Sequence, residues 1–273
     1  MNKDKQTIYP VSSAPSPVTG VRTEFVHEKT VRELEAEIEE LAKTNESLRK
    51  ELETDKLTGL NNLRGFGERI YEWFATKQQE DTQPLENDRR KYEKGAMIFI
   101  DLNGMKKMND KLGYIATDNV IKEFSKLSKM VRKELDICCR YHGDEFVIYM
   151  PHADARLASQ IIALKIKAIL ESSPIEVRDE NGVIQQVDLS FAVGACQILD
   201  SPDDSTDRES VNLWIMKHLN ESSILEKHAK KETANTIVVA YKTAEGEINI
   251  IPEDKLIERR DRIRKHADNA ESK

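Results

Sequence analysis

The sequence is short of cysteine, of positive charge and of long apolar runs. Three cysteines in 273 residues, two of them adjacent (Cys138 and Cys139), give neither an even disulfide framework nor a metal-ligand spacing. They read as reduced core residues of a cytoplasmic protein. A formal net charge of −7 argues against a general nucleic-acid binder, which carries a basic excess. No apolar run reaches membrane-spanning length, and the polar start MNKDKQTIYP is not a signal peptide. The 38% apolar and 33% charged residues are material for one moderate domain plus extensions.

Residues 1–27 carry prolines, serines and threonines with little apolar periodicity, the composition of a disordered tail. Residues 28–54 then read as a dimerisation helix with a heptad seam. Val31, Ile38, Asn45 and Leu52 fall at one core position, and Leu34, Leu41 and Leu48 at the other. That pattern favours a parallel two-stranded coiled coil, and a buried Asn45 pairs well only with its counterpart in register. A single amphipathic helix packed on its own domain is the plainer alternative. No flexible linker separates this helix from Asp55.

Strands and helices alternate through residues 55–251. A helix over Arg64–Ala75 turns Phe66, Ile70, Trp73 and Phe74 to one side. Residues 77–94 are a polar surface loop. A buried strand, Ala96–Ile100, ends in Asp101 and leads to a helix with Met105 and Met108 inward and Lys106 and Asn109 outward. Asp118 opens the next helix. Strands Ile137–Tyr141 and Phe146–Met150 flank the turn His142-Gly143-Asp144-Glu145. The helix Asp154–Glu171 is expected to point Leu157, Ile161, Leu164 and Ile169 inward. Asn181-Gly182 is a turn between strand Ile175–Arg178 and an apolar strand Val187–Cys196. A helix Leu213–Ala229, strands Thr236–Tyr241 and Ile248–Ile251, and a charged helix within 252–273 complete the chain. Strand-end and hairpin-tip carboxylates clustered in this way are costly unless a cation neutralises them, and Mg²⁺ is the natural occupant.

The stretches FIDLNGMKKMNDKLGYIATD and RYHGDEFVIYM, with DKLTGLNNLRGF upstream, resemble the GGDEF domain of diguanylate cyclases. The resemblance runs from about Asp55 to Ala240. It implies an α+β, ferredoxin-like cyclase fold with a central mixed sheet, here preceded by a coiled-coil helix. It also implies condensation of two GTP into cyclic di-GMP, with release of two pyrophosphates by a dimer. By that resemblance Asp101, Asp144 and the backbone carbonyl of Leu102 hold Mg²⁺, with Mn²⁺ an acceptable substitute. Asp144 accepts the proton and Glu145 supports the site. Asn109 and Asp118 recognise guanine, Tyr114 stands beside the nucleotide, and Lys106 and Lys230 contact phosphate. A one-residue shift of the C-terminal motif would put Lys231 in the place of Lys230. The expected partners are GTP and a second copy of the chain, with neither nucleic acid nor membrane. No sensor domain is legible; dimer assembly through Val31–Leu52 is the obvious candidate for control, with an unidentified signalling partner as a further expectation.

Several positions depart from the family pattern. Asn103 replaces the second Asp of D-x-D, and Tyr114 replaces His. Thr117 replaces the Gly before Asp118, and His142 the first Gly of the signature. Ala234 falls where a phosphate-binding Arg is expected, and Lys133 and Asp136 stand in place of the R-x-x-D product-inhibition motif. His142 reads as a turn substitution rather than a base. Two readings stay open: an active cyclase, or a degenerate domain that binds GTP or a partner without turnover.

Overall fold

The computed structural model describes residues 20–81, 95–131, 136–179, 181–232, 236–243 and 246–271. The chain divides into two compact units, residues 1–50 and 51–273. The first is the greater part of helix α1 (Gly20–Glu53). This helix begins inside the stretch expected as a tail, because nothing between Gly20 and Thr30 breaks it: no proline or further glycine intervenes. Its seam residues Leu34, Ile38, Leu41 and Leu48 are exposed, an apolar stripe on a helix otherwise polar.

The second unit is built on a six-stranded sheet. In chain order its elements are α2 (Leu63–Asp81), β1 (Gly95–Leu102), α3 (Met105–Leu112), α4 (Tyr114–Val131), β2 (Ile137–His142) and β3 (Glu145–Pro151). There follow α5 (Ala155–Ser172), β4 (Ile175–Arg178), β5 (Ile184–Val187), β6 (Phe191–Ile198), α6 (Arg208–Glu232), β7 (Val238–Lys242), β8 (Ile248–Pro252) and α7 (Glu253–Glu271). The sheet order is β2-β3-β1-β6-β7-β8, with β4 and β5 a separate hairpin. Among the described strands, β6 and β7 pair in parallel and the other neighbours antiparallel, so the sheet is mixed as expected.

Strand β1 is buried on both sides along its whole length, and its alternation sorts the two cores. Ala96, Ile98, Ile100 and Leu102 face one cluster with Val120 and Phe124 of α4 and Ile162 and Ile166 of α5. Met97 and Phe99 face the other, with Phe66 and Ile70 of α2 and Trp214, Ile215 and Leu225 of α6. Asp101 continues the second set and therefore ends on the α6 side of the sheet. Gly194 lets α6 come close: a Cβ there would sit 2.1 Å from the Ser222 carbonyl oxygen and 2.2 Å from the Glu226 nitrogen. The cysteines are all free and buried, in line with the core reading.

Three local expectations are corrected. The run 187–196 is not one strand: β5 ends at Val187 and β6 starts at Phe191 in a different sheet. The break is fixed by Asn103, whose N–H donates to the Ser190 carbonyl (2.9 Å) and whose Nδ2 donates to Ser190 Oγ (3.1 Å). Helix α5 packs Leu164 and Ile169 against the core as expected, but it buries Ala155, Ala158, Ile162, Ala163 and Ile166 and leaves Leu157 and Ile161 exposed. Its Asp154 cap, accepting from the Leu157 N–H, starts the helix in that phase, and alanines permit closer approach to the sheet. Finally, Asp118 does not open α4. The left-handed-side backbone of Gly113 (φ 83°) ends α3, and α4 begins directly at Tyr114, placing Asp118 one turn in.

Candidate functional site

Three elements converge at the end of β1. Asp101 on β1 is paired directly with Glu145 on β3 and with Ala192 on β6. Side chains directly opposite one another share a face of the sheet, so two carboxylates stand side by side with only a methyl on the far flank. From α6, Lys230 reaches Asp101, its Nζ 2.5 Å from Oδ1. Lys230 and Lys231 are both exposed, and it is Lys230 that meets Asp101.

Burial raises the Asp101 carboxyl above its ordinary value, Lys230 lowers it, and Asp144 adds to the rise. Glu145 is raised in the same way, by burial and then by the charges of Asp101 and Asp144. A site that strains its own carboxylates towards protonation is one that favours a cation. All the side-chain donors are hard oxygens, which fits Mg²⁺ or Mn²⁺ rather than a softer metal.

The turn carrying Asp144 is clasped from behind. Arg140 Nε donates to the Gly143 carbonyl at 2.8 Å, and its Nη1 lies 3.2 Å from Asp55 Oδ1. Asp55 also accepts from the Thr58 N–H and hydroxyl. Burial alone would raise Asp55, but the Thr58 bonds and Arg140 outweigh it and hold the carboxyl below its ordinary value. Asn61 Nδ2 donates to the Cys138 carbonyl. The upstream motif from Asp55 to Asn62 thus acts as a brace for β2 and the turn. The Leu102 N–H donates to the Asp144 carbonyl at 3.2 Å, tying the turn to the end of β1.

His142 adopts ordinary backbone, and Gly143 carries the positive φ (51°), so the His substitution imposes no strain. Thr117 is buried and donates its hydroxyl to the Gly113 carbonyl. Asn103 serves the β6 junction, as above.

Lys106 and Asn109 lie on α3, and Tyr114 and Asp118 on α4. Lys106 and Asp118 are exposed, and Asn109 is half-buried. Tyr114 is 76% exposed, one helical turn from Asp118 on the same face of α4. Lys133 and Ala234 lie outside the described residues, while Asp136 is buried.

One residue of the site escaped the motif reading. Glu226, one turn before Lys230 on α6, is 2% exposed, and its Oε1 has no hydrogen-bond partner. Burial first, then the fields of Asp101 and Glu145, raise its carboxyl to about 7, with Lys230 and Lys227 offsetting part of the rise. A charged residue within a buried helix stripe was the available signal.

The sequence profile of the family "Diguanylate cyclase, GGDEF domain" matches residues 52–211. The chain belongs to the GGDEF family. Among curated relatives, it is 27% identical over 149 residues to diguanylate cyclase A of Treponema denticola, covering 55% of this chain and 38% of that protein. It is 31% identical over 133 residues to the cyclic di-GMP phosphodiesterase NbdA of Pseudomonas aeruginosa, covering 48% of this chain and 16% of that protein. The chain thus spans well under half the length of these two relatives. A solved structure of the coiled coil and GGDEF domain of DgcB from Caulobacter crescentus, in complex with c-di-GMP, shares the fold. Its TM-score is 0.55 at 19% identity, over 78% of this chain and 98% of that one. The GGDEF match covers the turn, the clasp and β1; α7 and most of α1 and α6 lie beyond it. Among the described residues, no helix is long and apolar enough to cross a membrane.

Proposed function

We propose that the chain is a diguanylate cyclase, joining two GTP into cyclic di-GMP in the bacterial cytoplasm as a parallel dimer. The observation that supports this best is the convergence of Asp101, Glu145 and Lys230 beside the Asp144 turn. In each half-reaction the 3′-oxygen of one nucleotide bonds the α-phosphorus of the other. The α–β phosphoanhydride breaks, and pyrophosphate leaves with its electron pair. Asp144 takes the hydroxyl proton, and Lys230 and Lys106 hold phosphate oxygens. Asn109 and Asp118 pair with the guanine edge, and Tyr114 lines its exposed side. Asp101, Asp144 and the Leu102 carbonyl would hold Mg²⁺ or Mn²⁺, which when bound neutralises the triphosphate. One domain offers one nucleotide site, so two must face each other, and the exposed seam of α1 is the proposed means of pairing them.

A second reading is favoured by Glu226. A buried carboxyl beside the phosphate-contacting lysine opposes a triphosphate, as expected of a domain that binds GTP or a signalling partner without turnover. Incubation of the full chain with GTP and Mg²⁺, with products read by mass spectrometry, separates the two. Cyclic di-GMP from the parent and none from Asp144→Ala supports the cyclase. GTP binding with no product from the parent refutes it in favour of the second reading.

A further inference from the structure

Away from the carboxylate cluster, β6 and α6 bring together a sulfur, an imidazole and a carboxylate. Cys196 lies on the α6 side of β6, in the core that holds Trp214 and Leu219. His218 and Glu221 are three residues apart on α6 and so share a face. One donor atom from each of the three residues lies within 4.8 Å of the others. Cys196 Sγ is 4.0 Å from His218 Nδ1. Cys196 and His218 are buried, and Glu221 is half-buried, so the group opens to solvent on the Glu221 side.

The far nitrogen of His218 fixes which atom faces the sulfur. Nε2 lies 2.9 Å from Asp200 Oδ1. Burial would raise Asp200, but Lys217 and His218 outweigh it and keep the carboxyl ionised and accepting only. Nε2 therefore carries the hydrogen, and Nδ1 turns a lone pair towards Cys196. A carboxylate behind an imidazole whose other nitrogen is free is the arrangement that orients metal-binding histidines. The thiol hydrogen has a second acceptor, the His218 carbonyl at 3.4 Å, so Nδ1 need not be filled by it.

We propose that Cys196, His218 and Glu221 form a site for a borderline-soft divalent cation of the Zn²⁺ class. The mixed sulfur, nitrogen and oxygen set suits such an ion and not Mg²⁺, and three protein ligands leave a fourth position for water. Cys196 is four residues along β6 from Ala192, the partner of Asp101, which separates the two sites by about 13 Å of strand. Binding releases the Cys196 proton to solvent, so affinity rises by about tenfold per pH unit in the neutral range. Two cationic side chains oppose it: Lys217, paired with Asp200, and Lys242, whose Nζ is 2.8 Å from Glu221 Oε1. The Lys242 side chain is 44% exposed and that of Lys217 62%, enough for both to swing into water when a cation enters. Because His218 and Glu221 belong to α6 and Cys196 to β6, an ion there clamps the helix that carries Lys230 onto the sheet.

The test titrates the metal-stripped full chain with Co²⁺, followed by displacement with Zn²⁺. One equivalent is expected to give a near-ultraviolet sulfur-to-cobalt charge-transfer band, with a higher melting temperature in Zn²⁺ than in Mg²⁺. Cys196→Ser abolishes the band, Glu221→Gln and Asp200→Asn weaken binding at least tenfold, and Lys242→Met strengthens it. Cys138→Ser, Cys139→Ser and Asp101→Asn keep it. Far-ultraviolet circular dichroism checks folding, and the half-exposed Glu221→Gln serves if Cys196→Ser does not fold. No band at saturating Co²⁺, a band that survives in Cys196→Ser, or binding unchanged in Glu221→Gln each overturn the proposal. A band lost in Asp101→Asn would place the ion in the carboxylate cluster and overturn it too. None of these outcomes depends on whether the chain makes cyclic di-GMP.

Discussion

Replacing Glu226 with Met should make the domain more stable above neutral pH and flatten its pH dependence. The carboxyl is raised from 4.5 to about 7 by burial and by its acidic neighbours. Below pH 4.5 it is protonated both folded and unfolded, and it costs nothing. Between 4.5 and 7 the unfolded chain releases the proton while the folded chain keeps it, so stability falls as pH rises. Above 7 both are ionised and the whole penalty remains, with a ceiling of about 3 kcal/mol. Side-chain relaxation and water entry lower that ceiling, and the parent is expected to lose about 2 kcal/mol more than the variant between pH 5 and pH 8. Met has a similar volume and leaves no orphaned oxygen where Oε1 now lacks a partner, so little new cavity or strain opposes the gain. The assay is urea denaturation of both proteins at the two pH values, with chelator present and nucleotide absent. Asp101 and Glu145 are raised as well, and Asp55 and Asp200 are lowered, but the comparison of parent with variant removes most of their common contribution. Parallel pH profiles for the two proteins would refute the argument and mean that Glu226 is neutralised by a partner on α6.

Gly194→Ala should cost about 3 kcal/mol, because its Cβ would enter the backbone of α6 at Ser222 and Glu226. An unchanged denaturation midpoint would show that α6 does not pack on β6 as described. Lys230→Met is expected to weaken Mg²⁺-dependent GTP binding by about 10- to 100-fold, the range for losing one charge-assisted contact. Calorimetry with a non-hydrolysable GTP analogue measures it, and undiminished affinity would remove Lys230 from the phosphate site. Asn45→Ile should strengthen self-association and relax its register, since an apolar residue at that seam position accepts more than one alignment. Light scattering and cross-linking of paired cysteine variants read both effects. Identical mass and identical cross-links would exclude α1 as the pairing element.

The parts of the site that follow from local chemistry were legible in the sequence. A strand ending in Asp101 and a hairpin tip carrying Asp144 and Glu145 are set by residues next to one another in the chain. Strand alternation then decides which face each side chain takes. The positive φ had to fall on Gly143 or on the residue before it, and only the backbone shows that His142 escapes it. Phase along helices was harder. Helix α5 has apolar residues on nearly every side, so spacing allowed Leu157 and Ile161 to be inside. Only contact with the sheet selects the alanine stripe. The same holds for α4, where the register of Asp118 hangs on the conformation of Gly113.

What no local rule could supply is the partner brought from far along the chain. Lys230 meets Asp101 across 129 residues, a meeting that no local pattern announces. Glu226 enters the same neighbourhood because Gly194 has no side chain to hold α6 away. The close approach therefore does two opposed things. It delivers a lysine to the carboxylates, which favours a bound triphosphate, and it delivers a carboxyl, which disfavours one. Lys230 can move with the ligand, being partly exposed, whereas Glu226 is locked in the packed stripe and can respond only by holding or losing its proton. A cation arriving at Asp101 offsets some of the field that keeps Glu226 neutral, whereas the anionic triphosphate adds to it. Nucleotide affinity should then depend on pH more steeply than Lys230 and Asp101 alone would require, and Glu226→Met should remove that excess.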